Sequence, residues 1–211
     1  MIIAIDGPSA AGKGTLAKRL AAHFDLAHLD SGSLYRAVAL KMLRVGQDPA
    51  DEDLALAAAQ TLRPDELADP ALREEATGKA ASIVAAMAPV RRALLDFQRA
   101  FARTPPGGKS GAVIDGRDIG TVVCPDATVK LFVTASDEVR ARRRSEELQG
   151  GGGIAIYARV LQDMRERDAR DSQRSVAPLV AADDAIVLDT SDLDADAVFA
   201  AALEYINRKI G

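Results

Sequence analysis

The most constraining feature of this sequence is its first sixteen residues, M-I-I-A-I-D-G-P-S-A-A-G-K-G-T-L. A short apolar run over residues 2–5 stops at Gly7-Pro8, which is typical of a buried strand that ends in a turn. The pattern G-x-x-x-x-G-K then spans residues 7–13, and apolar-periodic residues follow over 16–24. Strand, glycine loop and helix therefore follow one another in the order that a phosphate-binding cradle requires.

Such a loop binds phosphate mainly through its backbone. Glycines at 7, 12 and 14 would let backbone N–H groups turn toward phosphate oxygens, while the helix N-terminus adds partial positive charge. We expect Lys13 to face solvent and to reach the terminal phosphates of a nucleoside triphosphate. The alternative is a glycine-rich turn that binds nothing, in which this lysine would have no purpose.

The loop departs from the strict motif at one position. The residue after Lys13 is Gly14, and the hydroxyl comes one place later, at Thr15. In the strict motif the hydroxyl directly after the lysine binds Mg²⁺. We therefore expect phosphates, water and a carboxylate from a second strand to hold the metal, with Thr15 as a phosphate ligand first and a metal ligand second. The G-K-G-T variant resembles small-molecule nucleotide kinases more than GTPases.

Composition narrows the remaining possibilities. A chain of 211 residues is long enough for one domain with a proper core, and its net charge of −4 argues against a nucleic-acid partner. The lone Cys124 excludes an internal disulfide, and neither a signal peptide nor an apolar run of membrane-spanning length is visible. We expect a cytoplasmic monomer that binds neither nucleic acid nor membrane.

Apolar patterns divide the chain into alternating strands and helices. Strands are predicted at 2–5, 26–29, 112–115, 129–134 and 185–188, and helices at 16–24, 34–45, 48–62, 71–87, 89–101, 136–144, 154–171 and 195–210. The helix at 89–101 is predicted to face the core with Val90, Leu94, Phe97 and Phe101. Ser31 is expected to cap the second helix, and the glycine run 150–153 is expected to be flexible. This alternation predicts an α/β fold, a doubly wound parallel sheet flanked by helices.

Two charged residues lie where a phosphate ligand could be reached. Asp115 closes the strand 112–115, and ligands of such sheets lie beyond the carboxyl ends of the strands. It would therefore face the water ligands of Mg²⁺ near Lys13, although a turn or capping aspartate is the alternative. Arg36 lies early in the second helix, where either a phosphate contact or a solvated surface position is open to it.

Two groups of arginines flank the glycine run. The first is Arg140, Arg142, Arg143 and Arg144, and the second lies within R-E-R-D-A-R-D-S-Q-R at 165–174. Three positions spaced i, i+3 or i+4, and i+7 share one helical face if that helix persists: Arg167, then Arg170 or Asp171, then Arg174. Arginines around a glycine hinge predict a closing lid over residues 140–174. The alternative is a surface face on which nearby carboxylates neutralise the arginines.

Several motifs in a fixed order resemble those of the bacterial cytidylate kinases, a family of P-loop nucleoside-monophosphate kinases. They are IDGPSAAGKGT, LDSGSLYR, AAS before PVRRALLDFQRAF, IDGRDIGTVV, RARRR and RERDARDSQRSVAPL, and they cover nearly the whole chain. The resemblance implies a single P-loop kinase domain over 1–211, with a helical acceptor-binding region at 33–103 and a short lid. The chain departs from the family between residues 62 and 73, where much of a strand-rich insert is lacking.

The resemblance also implies substrates and roles. MgATP would be the donor and CMP or dCMP the acceptor, with Lys13, Arg117, Arg167 and Arg174 as catalytic residues. The implied ATP-binding residues are Gly7, Pro8, Ser9, Ala10, Ala11, Gly12, Lys13, Gly14 and Thr15. The implied acceptor-binding residues are Ser31, Arg36, Ser82, Arg91, Arg117, Asp118, Arg167, Asp171 and Arg174. Arg142 and Arg143 are the expected lid arginines, and Asp115 is the expected metal contact through water.

Two alternatives stay open at this point. A P-loop kinase could use another acceptor, such as UMP or a shikimate-like metabolite, although D-G-R-D after the third strand and the region of Arg91 speak against it. A nucleotide-dependent switch of the GTPase kind would need a guanine-reading N-K-x-D tetrapeptide, which the sequence lacks.

Overall fold

The structure is a computed structural model that describes residues 1–150 and 156–211. The predicted glycine run beyond Gly150, and the predicted helix start at 154, lie outside the described residues. Internal contacts divide the chain into two compact units, one formed by Met1–Leu29 with Pro105–Gly211 and the other by Asp30–Thr104.

A parallel sheet organises the first unit. Its strands are β1 (Ile2–Asp6), β2 (Ala27–Asp30), β3 (Ala112–Gly116), β4 (Val129–Thr134) and β5 (Ile186–Asp189). Across the described ranges they form one five-stranded sheet in the order β2-β3-β1-β4-β5, and β1 pairs in parallel with both β3 and β4. The loop after β1 therefore leaves the sheet at its centre. The predicted parallel α/β sheet is confirmed.

Helices account for most of the remaining described residues. They are α1 (Lys13–His23), α2 (Ser31–Arg44), α3 (Glu52–Gln60), α4 (Glu75–Val84), α5 (Ala88–Arg103), α6 (Asp137–Gly150), α7 (Tyr157–Gln173) and α8 (Ala195–Ile210). Within 1–150 and 156–211, none of the helices combines the length and the apolar character needed to cross a membrane.

The core of the first unit lies between the sheet and the helices α1 and α8. Burying each of its large aliphatic side chains contributes about 1.5–3 kcal/mol. The principal members are Ile3, Ile5, Leu16, Leu20, Val129, Leu131, Val198 and Ile206. Because β1 and α1 both belong to this core, the loop that joins them is anchored at both ends.

The second unit is helical, and its core joins α2, α3, α4 and α5. Along α5, buried positions recur every four residues as Val90, Leu94, Gln98 and Ala102. The predicted core stripe is therefore wrong at Phe97, which is 37% exposed and lines a groove of about 370 Å³. Gln98 takes the buried place, and its Nε2 donates to the Leu94 carbonyl at 3.1 Å.

Several boundaries differ from the sequence predictions, and two helix starts have a visible local cause. The helix predicted at 71–87 begins as a separate 3-10 turn, Pro70–Arg73, and α4 starts only at Glu75. Asp69 explains the break, since its carboxylate accepts a hydrogen bond from the Ala71 amide and so starts the short turn. Ser31 is the first residue of α2 rather than its cap, and Asp30 occupies the N-cap position.

Candidate active site

The phosphate loop, residues 7–15, bends through three residues with positive φ. Gly7 has φ +142°, Gly12 has φ +94°, and Ala10 adopts the left-handed region with φ 57°. A Cβ on Gly7 would lie 1.9 Å from the Val133 carbonyl oxygen, so only glycine fits against β4. Gly14 differs from the prediction because it lies inside α1 without a positive φ, and a Cβ there would have no atom within 4 Å.

Lys13 is buried rather than facing solvent, as its side chain is only 6% exposed. Its Nζ donates to the Pro8 carbonyl at 2.5 Å, which folds the side chain back across the loop. The ammonium group thus lies inside the curve of the loop, where a phosphate would meet it. The expectation of a solvent-facing lysine was wrong because the loop closes around the lysine stem.

Two side chains from outside the loop hold its carbonyl groups, and a third holds one of these two. Arg140 donates to the Ser9 carbonyl at 3.3 Å, and the Thr190 hydroxyl donates to the Ala11 carbonyl at 3.1 Å. Arg143 donates to Thr190 in turn, at 2.9 Å to its hydroxyl and 2.8 Å to its carbonyl. Because these carbonyl groups are held by other side chains, the amide N–H groups of the loop can bind an anion.

Arg140 and Thr190 were not singled out from the sequence. Arg140 belongs to the first arginine group, but its burial and its 2.5 Å contacts with Asp137 and Asp168 cannot be read from a charge run. Arg142 is exposed, whereas Arg143 is bound to Thr190. The lid role of these two arginines stays a prediction.

Asp115 lies at the carboxyl end of β3 and is buried. His28 on β2, which the sequence patterns did not indicate, places its Nε2 2.8 Å from the Asp115 carboxylate. Among the described residues, no group of three or more His, Cys, Asp or Glu side chains could hold a metal ion.

Five charged residues, two directly after β3 and three on or just beyond α7, form what we term the arginine cluster. They are Arg117, Asp118, Arg167, Asp171 and Arg174. The Arg117 Nε lies 3.0 Å from the Asp171 carboxylate, and the Arg167 Nε lies 3.9 Å from the same carboxylate. Arg174 approaches Asp118 at 3.9 Å. The structure therefore brings together the end of β3, α7 and Arg174 within one unit. The helix does not persist to Arg174, because α7 ends at Gln173 and Arg174 follows it in an extended conformation.

Electrostatics within the cluster favour the ionised carboxylate of Asp171. Burial raises the pKa of Asp171, but the charges of Arg117, Arg167 and Arg174, together with the hydrogen bond from Arg117, hold it below its ordinary value. Three guanidinium groups against two carboxylates leave one net positive charge in a largely buried place. Such a group of charges attracts an anion.

In the second unit, the predicted acceptor-binding residues lie on α2, α4 and α5. Ser31, Ser82 and Arg91 are buried, and the Arg36 guanidinium donates to the Leu72 carbonyl at 2.8 Å. The alternative of a solvated surface position for Arg36 is thus wrong, since its side chain is held by a carbonyl of the 3-10 turn Pro70–Arg73.

Two further residues shape this part of the second unit. The Arg91 guanidinium lies over the Tyr35 ring, 5.4 Å from its centroid. A Cβ on Gly78 would lie 3.1 Å from Arg36, so this helical glycine makes room for the guanidinium. The sequence could have indicated Gly78, because it is a lone glycine in an alanine-rich helix. Tyr35 lies within the LDSGSLYR motif, but nothing in its position indicated a contact with Arg91.

Fold and loop together define a class of protein. A glycine loop and lysine between the central parallel strand and a helix, with a carboxylate ending the neighbouring strand, characterise the P-loop kinases. Comparison with known proteins identifies the family, because a family model described as cytidylate kinase matches residues 3–208. The chain belongs to the cytidylate kinase family.

Curated relatives are similar over nearly their whole length. A cytidylate kinase from Paramagnetospirillum magneticum is 66% identical over 208 residues, covering 99% of this chain and 98% of that protein. One from Rhodospirillum rubrum is 58% identical over 209 residues, with the same coverage of each chain. The likeness therefore extends far beyond the phosphate loop.

Solved structures resemble the fold more distantly. An uncharacterized protein from Eubacterium ventriosum gives a TM-score of 0.56 at 16% identity, covering 99% of this chain and 98% of that one. A sugar kinase from Janibacter gives a TM-score of 0.51 at 14% identity, covering 98% and 94%. These likenesses support the fold alone.

Proposed function

We propose that this protein is an ATP-dependent cytidylate kinase, which transfers the γ-phosphoryl group of MgATP to CMP or dCMP and forms ADP with CDP or dCDP. The observation that carries the proposal is the arginine cluster, a buried group of arginines with net positive charge in the same unit as a phosphate loop. Membership in the cytidylate kinase family supports CMP as the acceptor.

The reaction needs no general base. The second pKa of a phosphate monoester is about 6, so at neutral pH most of the acceptor phosphate is a dianion that can attack once it is aligned. The obstacle is repulsion between two anions. Lys13 and the arginines of the cluster would reduce that repulsion and stabilise the charge that spreads over the transferring group.

We propose separate roles for the residues of the first unit. The loop residues 7–15 bind the phosphates of ATP, and Lys13 stabilises the transferring group. Arg117, Arg167 and Arg174 bind the acceptor phosphate, with Asp171 holding two of these arginines in place. Mg²⁺, when bound, would neutralise charge on the ATP phosphates. Asp115 would contact its water ligands, with Thr15 as a second candidate.

The remaining roles rest on the resemblance of motifs. Ser31, Arg36, Ser82 and Arg91 in the second unit, with Asp118 in the first, are proposed to bind the acceptor. Residues 33–103 would form the acceptor-binding region, and residues 140–174 the lid with Arg142 and Arg143, within one kinase domain over 1–211. We propose a monomer that works in pyrimidine nucleotide metabolism in the cytoplasm, where its proposed substrates are found.

An acceptor screen tests the function directly. The protein would be incubated with MgATP and each of CMP, dCMP, UMP, AMP and shikimate, with ADP detected through a coupled assay. We expect the highest catalytic efficiency with CMP or dCMP, and no ADP when EDTA removes the metal. A mixture without acceptor measures ATP hydrolysis as the control. Highest efficiency with UMP or shikimate, or no transfer at all, would contradict the proposal.

A further inference from the structure

Asp6, the last residue of β1, has no part in the function proposed above. Its carboxylate is only 4% exposed and accepts two backbone hydrogen bonds. The Ile119 amide donates to Oδ1 at 2.8 Å, and the Gly120 amide donates to Oδ2 at 2.7 Å. Both donors belong to the π-helical turn Ile119–Val123, which begins directly after Arg117 and Asp118.

The two ends of this contact belong to the two anion-binding regions. Asp6 is followed at once by Gly7, which is packed so closely against β4 that no Cβ would fit. On the other side, the hydrogen-bonded amides follow Arg117 and Asp118, two members of the arginine cluster. Movement of this turn relative to the phosphate loop would have to break hydrogen bonds to Asp6.

The chemistry of the contact requires a carboxylate. Two amide donors converge on one side chain, and an ionised carboxylate offers an acceptor oxygen to each of them. Asparagine would offer one acceptor and one donor, so one amide would face an N–H group. Burying a carboxylate is costly, and a turn that needed only to be closed could use a neutral acceptor. The buried charge therefore indicates that the turn Ile119–Val123 has to be held in a fixed position.

We propose that Asp6 is a positioning residue, which fixes the turn bearing Arg117 and Asp118 to the strand bearing the phosphate loop and thereby sets the acceptor in line with the donor. This inference rests on the proposed kinase function. It predicts that a weaker Asp6 contact harms acceptor use while ATP binding persists.

The test compares Asp6→Asn with a matched control, Asp194→Asn. Asp194 also accepts two backbone amides, from Asp196 at 3.0 Å and Ala197 at 2.8 Å, but it caps α8. We expect Asp6→Asn to raise the KM for CMP at least about ten-fold, as for loss of a charge-assisted hydrogen bond. It should also lower the preference for CMP over UMP and leave the Kd for ATP unchanged. Asp194→Asn should alter none of these constants.

Hydrogen exchange gives a readout that does not depend on activity. The Ile119 and Gly120 amides should exchange faster in Asp6→Asn than in the wild type. If they do not, or if the variant loses only thermal stability with all kinetic constants intact, the inference is overturned. Equal losses for ATP and CMP would also overturn it. Failure of the wild type to phosphorylate CMP would instead refute the proposed function, while the exchange experiment would still decide whether Asp6 holds the turn.

A second variant covers the case in which Asp6→Asn does not fold. A Cβ on Gly120 would lie 3.4 Å from the Asp6 Oδ2 and 3.2 Å from the Lys130 Cδ. Gly120→Ala should therefore crowd the Asp6 contact and shift it by a few tenths of an ångström while keeping the carboxylate. The same rise in the KM for CMP would support the positioning role, and wild-type kinetics would overturn it.

Discussion

The phosphate loop and the arginine cluster both suit anions, but they are built differently. The loop is a run of adjacent residues whose backbone supplies the donors, and side chains such as Arg140 and Thr190 only hold its carbonyls. The cluster is assembled from side chains that lie far apart in the sequence, since Arg117 meets Asp171 across 54 residues. The loop depends on local conformation, whereas the cluster depends on the contacts of α7 and Arg174 with the segment that follows β3.

The two regions also manage charge differently. In the loop, the ammonium group of Lys13 donates to a backbone carbonyl, which carries no formal charge. In the cluster, Asp171 and Asp118 keep three guanidinium groups near one another in a buried place. The carboxylates of the cluster therefore hold its guanidinium groups together and offset part of its positive charge. Mutations in the loop should accordingly affect the use of ATP, and mutations in the cluster should affect the use of the acceptor.

The largest effect is expected in the loop. Lys13→Ala should lower turnover at least about a hundred-fold, because the ammonium group would no longer stabilise the transferring phosphoryl group. Since Lys13 is buried, some loss of stability is also expected, so activity should be measured well below the melting temperature. Lys18→Ala, at an exposed position on α1, is the control. Near-normal turnover of Lys13→Ala would exclude the loop from the mechanism.

The complementary test acts on the cluster. Arg174→Ala should lower catalytic efficiency with CMP by about a hundred-fold, as for removal of one preorganised charge, and leave the Kd for ATP unchanged. Arg167→Ala should behave similarly. Arg170→Ala alters an exposed arginine of the same helix and serves as the control. If the first two variants keep wild-type efficiency, α7 presents no more than a salt-bridged exterior.

This contrast also separates what the sequence predicts from what it does not. The loop, its flanking elements and the parallel sheet follow from adjacent residues and apolar periodicity. Helical spacing also places Arg167 and Asp171 on one face of α7, but Arg174 reaches the cluster from just beyond the helix, which ends at Gln173. Spacing could not predict that Asp171 would pair with Arg117 or that Lys13 would be buried, because both depend on packing between distant segments. His28, Arg140 and Asp6 were missed for the same reason.

Asp6 directly precedes the loop and contacts the turn that follows the first two residues of the cluster. It also makes the stability of the protein depend on pH. Burial, only partly offset by the amides of Gly120 and Ile119, raises the pKa of Asp6 from 3.8 to about 6, with Asp118 adding to the rise and Lys13 opposing it. Lys130 packs on the same turn. The folded protein therefore binds this proton more tightly than the unfolded chain. The stabilisation that results is fully present below pH about 4 and is lost as pH rises through about 6.

The expected loss is roughly 2–3 kcal/mol, at about 1.4 kcal/mol for each unit of pKa shift. Urea unfolding of the wild type and Asp6→Asn between pH 4 and 8 would isolate it. The free energy of unfolding of the wild type, relative to the variant, should fall by this amount across that range. Parallel pH profiles for the two proteins would show that Asp6 titrates normally.

The smallest effect concerns base choice by Asp118, which is buried beside Arg174. Cytosine offers an amino donor where uracil offers a carbonyl acceptor, so a carboxylate attracts the first and repels the second. Asp118→Asn keeps the shape but supplies an amide that can rotate to donate. Discrimination between CMP and UMP should therefore fall by roughly 1–3 kcal/mol, the range for one good base contact.

The contact with Arg174 supplies the competing explanation. If Asp118 only orients that arginine, its replacement should weaken phosphate binding, and CMP and UMP would lose efficiency alike. The two roles differ in the ratio of catalytic efficiencies for CMP and UMP, measured before and after the substitution. A smaller ratio assigns base reading to Asp118. An unchanged ratio with both efficiencies reduced places Asp118 with Asp171, as a carboxylate that serves the cluster by holding its arginines.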